Sequence, residues 1–208
     1  MKTTPRIITA LAIAGAFVTT AVQAAESGPY IRLENGVQSI SGAKYKVGGV
    51  EIGKVKFNES YIYGGALGYS FGAFATELEI DNTKSKIKSL NGYSVSDLKL
   101  NQTTFLVNGV YKIDLSEAAA LKVSGGLGFQ VTDFTAPALP QTSYKTDTAF
   151  AAQVSPSVSF NLTKNCSLNA GYKLRFVDES QLASVAGVPI NLTSRWGHVF
   201  TVGVGFSF

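Results

Sequence analysis

The sequence predicts an all-β fold: an eight-stranded antiparallel up-and-down transmembrane β-barrel. Three observations predict it. Apolar residues alternate with period two along most of the chain, whereas helical stripes at i, i+3, i+4 do not recur. The segments between these runs are long and short by turns, as in barrels that cross a membrane. Hydrophobic residues make up 45% of the chain. Yet no stretch of 18 or more of them follows the N-terminal segment, so a spanning helix is not available.

That N-terminal segment is set apart first. Lys2 and Arg6 precede the apolar run ITALAIAGAFVTTAV, and Val22-Gln23-Ala24 supplies small residues for cleavage. Residues 1–24 are expected to be a secretory signal peptide and 25–208 the barrel domain. No cysteine follows the segment closely enough to carry a lipid anchor. Removing it takes away two bases and leaves 16 Lys/Arg against 14 Asp/Glu, so the net charge of +4 falls to +2. A balance this even gives no reason to expect a nucleic-acid partner. Cys166 is the sole cysteine, so an internal disulfide is excluded and packing with backbone pairing must hold the fold.

The strands are placed at 28–37, 60–71, 73–82, 99–113, 119–132, 148–162, 167–178 and 196–208. Long connections are expected at 38–59, 83–98, 133–147 and 179–195, and short turns near Gly72, at 114–118 and at 163–166. Both ends of the barrel segment then lie on the short-turn side.

Strand faces decide what surrounds the barrel. In the second strand Tyr61, Tyr63, Leu67, Tyr69 and Phe71 share one parity, and Gly64, Ala66, Gly68 and Ser70 the other. In the fifth, Leu121, Val123, Leu127, Phe129 and Val131 oppose Lys122, Ser124, Gly126, Gly128 and Gln130. The second face is too small and too weakly charged for a solvated exterior. It suits the interior of a narrow barrel, where small residues let tilted strands close. The bulky face must then meet lipid. Aromatic residues fall in two bands: Tyr61, Tyr63, Phe105, Phe129, Phe150, Phe176, Trp196 and Phe200 toward the long loops, and Tyr69, Phe71, Phe74, Tyr111, Phe160, Phe206 and Phe208 toward the short turns. Two bands match the two interfaces of a bilayer. Closure pairs every backbone donor and acceptor, as hydrocarbon requires.

The final strand reads HVFTVGVGFSF, with Phe200, Val202, Val204, Phe206 and Phe208 at every second position. This resembles the terminal signal of bacterial outer-membrane barrels, and the chain as a whole resembles the small OmpA-like, OmpX-like and Opa-like surface proteins. The resemblance implies recognition of this strand by the barrel assembly machinery, and a place in the outer membrane among its lipids and lipopolysaccharide. It also implies loops outside the cell, termini in the periplasm and a monomeric state. Full-length OmpA carries a soluble peptidoglycan-binding domain after its barrel. None is seen here, so anchoring to the cell wall is not expected.

Six charged residues share the inward register: Arg32, Glu34, Glu77, Glu79, Lys173 and Arg175. Unpaired charges in a narrow bore would be costly. Mutual pairing into a plug is therefore expected over an open ion path. Lys112 and Lys122 also point inward, where Asp114 and Glu117 are placed to neutralise them. In the loops, Lys44, Lys46, Lys54 and Lys56, then Lys84, Lys86 and Lys88, offer cations toward anionic groups such as lipopolysaccharide phosphates or acidic host glycans. Glu51, Glu59, Asp81 and Asp97 offset part of that charge. Loop four places Leu182, Val185, Val188, Ile190 and Leu192 where solvent is expected, and loop three adds Ala136, Pro137, Leu139 and Pro140. Such apolar clusters form either a contact surface or a cover over the barrel mouth.

Enzyme signatures are weak. His198, the only histidine, falls in the outward register between Trp196 and Phe200 and reads as an interfacial residue. The sharper alternative is a lipid-facing base as in outer-membrane lipid A deacylases, which places Ser two residues on, where Phe200 stands. GGVEIGK at 48–54 has P-loop spacing, but Val55 follows instead of Ser/Thr and no strand–loop–helix context exists. One His and one Cys do not make a conventional metal site. No catalytic residue, cofactor or metal is expected. The function expected is structural and display-based, with loops mediating adhesion or envelope contacts. A small-solute channel is the alternative, and an envelope lipid-modifying enzyme stands behind it.

Overall fold

A computed structural model describes residues 27–41, 43–94, 98–135, 142–144 and 146–208. The expected signal peptide, Asp97 and the loop-three residues Ala136, Pro137, Leu139 and Pro140 lie outside the described residues. Fourteen strands occur among those described. They are β1 Ser27–Ser41, β2 Lys44–Val47, β3 Val50–Phe57, β4 Ser60–Phe71, β5 Phe74–Leu90, β6 Tyr93–Ser94, β7 Lys99–Asp114, β8 Ala119–Thr135, β9 Thr142–Tyr144, β10 Thr146–Asn161, β11 Cys166–Val177, β12 Ser180–Val185, β13 Val188–Leu192 and β14 Arg195–Ser207.

Eight of them close on themselves. The lateral order β4-β1-β14-β11-β10-β8-β7-β5 returns to β4 through direct β4–β5 pairing, and every junction is antiparallel. This is the expected up-and-down barrel. The expected assignment of sides also holds. On the outer face Leu67, Leu78, Val107, Leu127 and Val202 are 59–63% exposed, whereas the inward Ala66, Leu106, Ala151 and Val199 are 0–4% exposed. Rings pair across neighbouring strands in both expected bands: Phe105 with Phe129 at 5.1 Å and Phe176 with Trp196 at 5.3 Å toward the long loops, Phe74 with Tyr111 at 5.0 Å toward the short turns.

Small inward residues are what allow the bore to close. At Gly36 a Cβ would stand 2.0 Å from the Phe200 carbonyl oxygen on the neighbouring strand, and at Gly128 1.9 Å from that of Phe105. Strands this close and this strongly coiled leave no room for alanine at either site.

The expected loops differ most from what was predicted. β5 continues to Leu90, β8 to Thr135 and β1 to Ser41, and the segments expected as loops carry β2, β3, β6, β9, β12 and β13. Five of these strands continue the barrel's sheet from β5 in the order β3-β2-β13-β12-β9, and β6 pairs with β5 off that path. Tight two-residue turns make this possible. Gly48-Gly49 has φ of 59° and 86°, Asn91-Gly92 50° and 88°, and Ala186-Gly187 49° and 84°. Positive φ at both central residues is the type I′ geometry whose twist matches that of hairpin strands. The extension has its own apolar core, built from Ala43, Val55, Ile87, Leu100, Leu182 and Leu192, against which Tyr45, Phe57 and Phe134 pack.

Candidate functional site

The six expected lumen charges meet, and a seventh joins them. Lys173, on β11, bonds Glu34 of β1, reaches Glu79 of β5 at 2.9 Å and approaches Asp81 at 3.3 Å. Arg175, two residues along and therefore on the same face, bonds Asp81, contacts Glu79 at 3.3 Å and donates to Gln153 Oε1 at 2.6 Å. Arg32 bonds Glu34, reaches Glu77 at 2.7 Å and Glu79 at 3.3 Å. Neutral groups complete the set: Tyr30 donates its hydroxyl to Glu77 at 2.8 Å and Asn108 its amide to Glu79 at 2.9 Å. Asp81 corrects the sequence reading, which counted it among loop charges. β5 runs on past it, and period-two alternation from Glu77 and Glu79 turns it into the bore, where it is 1% exposed. Carboxylates of Glu34, Glu79 and Asp81 lie close enough together to hold a cation, but the ammonium of Lys173 already reaches all three.

Toward the short turns the bore opens. A cavity of about 90 Å³, continuous with solvent, is lined by Tyr30, Lys112, Lys122, Ser159, Asn161 and Lys164 among others. A second, smaller space of about 30 Å³ is bounded by Arg32, Glu34, Glu77, Lys122, Ser155 and Asn169. Lys122 borders both. Asp114 neutralises Lys112 at 3.1 Å as expected. Glu117 does not serve Lys122: it lies in the exposed turn, where its carbonyl oxygen accepts from Asn161.

Five of the seven loop lysines separate into two groups, and Lys54 and Lys56 stand exposed on β3. Lys44 pairs with Glu51 at 2.8 Å and Lys46 with Glu179. Both therefore serve the extension itself. Lys84, Lys86 and Lys88 stand on the outer face of β5, exposed and without an ion-pair partner among the described residues. Lys84 is level with Tyr61 of the aromatic band, and Lys99 of β7, which the sequence reading passed over, faces Lys86 directly. Alternation continued along β5 places Lys86 on the outer face, but its meeting with Lys99 depends on the register between β5 and β7.

Loop four divides likewise. Leu182 and Leu192 are buried in the extension's core, so this part of the cluster turns inward. Val185 at 38% and Val188 at 42% remain exposed at the β12–β13 hairpin tip, with Ile190 half-buried beside Val47. At the base of that hairpin, hydrogen bonds from Lys46 and Asn191 hold the Glu179 carboxyl below its ordinary range, and those from Ser194 and the Glu179 amide do the same for Asp178.

On the outer face His198 Nδ1 lies 2.7 Å from the Tyr172 hydroxyl, and its Nε2 3.4 Å from Ser41 Oγ. Hydroxyls flank the ring on both sides. Cys166, expected in a turn, opens β11 as a half-buried free thiol. Phe200, Val202, Val204 and Phe206 take the outward register, and Phe208 follows the end of β14 as an exposed residue.

The fold is shared with solved outer-membrane proteins at low identity. Neisserial surface protein A (NspA) superposes with a TM-score of 0.56 at 19% identity, covering 88% of this chain and 98% of that one. The outer membrane protein OprG from Pseudomonas aeruginosa superposes at 0.63 with 14% identity, covering 90% of this chain and 99% of that one. At these identities the likeness carries architecture alone. No curated protein sequence matches the chain. The outer membrane protein beta-barrel domain profile matches residues 8–208, and the chain belongs to that family of bacterial outer-membrane barrels.

Proposed function

We propose that this barrel is a non-enzymatic surface protein whose plugged bore holds a rigid, strand-built extension outside the cell, with the short turns in the periplasm. The observation that carries the reading is the ionic plug. Arg32, Lys173 and Arg175 are cross-bonded to Glu34, Glu77, Glu79 and Asp81 at mid-bore, which supports a closed display scaffold over a channel. Partners follow from the outer face. Lys84, Lys86, Lys88 and Lys99 sit at and above the aromatic band, where lipopolysaccharide phosphates lie beside a barrel wall. The like charges of Lys86 and Lys99 in direct register favour an anion between them. Val185, Val188 and Ile190 at the hairpin tip are the contact offered to a host-surface ligand. Residues 1–24 direct export, and the alternating set from Phe200 to Phe208 is what the assembly machinery reads. The eight barrel strands close without an edge inside the membrane, which favours a monomer.

The reading is tested by replacing Lys84, Lys86 and Lys88 together by Gln and measuring lipopolysaccharide retained per folded barrel. Retention should fall several-fold and become less sensitive to salt. Equal retention removes the envelope contact. Large, stable conductance of the wild-type barrel in planar bilayers overturns the plug and favours a solute channel instead.

A further inference from the structure

Lys112 and Lys122 are directly opposite each other on β7 and β8, both in the inward register. Like charges in this position repel, and Cβ atoms of such pairs are only about 5 Å apart. One acid answers them: Asp114 binds Lys112 and has a largely exposed side chain. Lys122 has no ion-pair partner among the described residues. Glu77, which borders the same inner space as Lys122, is engaged by Arg32 at 2.7 Å and by Tyr30 at 2.8 Å. The two ammonium groups border a solvent-connected cavity, with Lys164 at its rim and the polar side chains of Ser159, Asn161 and Asn169 around it. Close apposed cations, donor-rich walls and an open mouth are the features of an anion-binding site.

We propose that the short-turn mouth of the bore is a binding site for a phosphate-class oxyanion, held between Lys112 and Lys122. Asp114 already offsets Lys112, so the charge left for a dianion is that of Lys122 and of Lys164 at the rim, and its several oxygens can also accept from the Lys112 ammonium and from the Ser and Asn side chains. Chloride, with one charge and no separate acceptor atoms, matches this donor set poorly. The site is independent of the display reading, because it lies at the opposite end of the barrel from the extension.

The test is calorimetric titration of the folded full-length barrel, in an uncharged phosphorus-free detergent, with inorganic phosphate. Saturable binding at one site is expected. Lys122→Gln should weaken it by about tenfold or more, while Lys122→Arg keeps most of it. A second arm offers a short-chain phosphatidic acid. Saturation by inorganic phosphate supports a free oxyanion, and saturation by the lipid alone supports a headgroup in the same site. No saturable binding in either arm overturns the proposal, as does Lys122→Gln binding like wild type, or equal displacement by chloride at matched ionic strength. Should the variant not fold, the wild type still decides. Phosphate must protect Lys112 and Lys122 from amine acetylation, read by mass spectrometry, and unchanged labelling overturns the site.

Discussion

Lys173 Nζ and Glu79 Oε1 meet at 2.9 Å inside the bore, although 94 residues separate them in the chain. Each side chain is 2% exposed. Removing one partner therefore strands a charge away from water. Lys173→Met leaves Glu34, Glu79 and Asp81 facing one another with only the guanidinium groups to balance them. Loss of a buried partner costs about 3–5 kcal/mol. Urea unfolding from lipid vesicles should show that loss, and Lys173→Met combined with Glu79→Gln should recover part of it, because the second change removes the orphaned charge. A single variant within about 0.5 kcal/mol of wild type would mean that the plug adds nothing to stability.

The wall makes a sharper distinction between glycines than their frequency suggests. Alanine at Gly36 would press its Cβ against the Phe200 carbonyl oxygen, a backbone atom that cannot move aside, whereas alanine at Gly125 meets nothing within 4 Å. Overpacking of this kind costs about 1–3 kcal/mol. Gly36→Ala should lower the urea midpoint accordingly, and Gly125→Ala should stay within about 0.5 kcal/mol of wild type. Equal midpoints for the two variants would show that the strands part easily at Gly36.

The barrel was legible in the sequence because lipid on one side and a crowded bore on the other impose strict alternation. Tyr61 to Phe71 carries that alternation with two exceptions, Gly65 on the outward face and Ile62 on the inward one. The lumen set was legible for the same reason, from Arg32 to Arg175. Asp81 was misplaced because it follows the last strongly apolar outward residue, Ile80, and polar strands above a membrane give no hydrophobic signal. Alternation nevertheless continues there in another form. Lys84, Lys86 and Lys88 face out while Thr83, Ser85, Ile87 and Ser89 face in. Gly48-Gly49 and Asn91-Gly92 mark the hairpins that the loop assignment missed. The meeting of Lys112 with Lys122 depends on register across a turn, which alternation within one strand does not fix.

The extension stands on its own apolar core, so it should loosen separately from the barrel. Leu192 is fully buried between β2, β12 and the bore mouth. Leu192→Ala removes packing worth about 2–5 kcal/mol. Amide exchange should accelerate in β12 and β13 while β8 and β10 keep their protection. Uniform acceleration along the chain would mean that extension and barrel unfold as one unit.

Glu179 ties the β12–β13 hairpin to β2 through Lys46 and to β13 itself through Asn191 Nδ2 at 2.8 Å. Those hydrogen bonds lower its carboxyl relative to the unfolded chain, Lys46 being the larger cause. A group shifted downward on folding stabilises fully above its unfolded value, and loses that contribution as pH falls through its depressed folded value. The hairpin should thus keep its anchoring at neutral pH and through the upper carboxylate range, and loosen only at more acid pH. Exchange rates of the β12 and β13 amides, corrected for intrinsic pH dependence, should rise over that acid window, and Glu179→Gln should flatten the rise. Because the carboxylate is about one-third exposed, the effect is local and screened by salt. A hairpin whose protection is as pH-dependent in Glu179→Gln as in wild type would assign the anchoring to the apolar core alone.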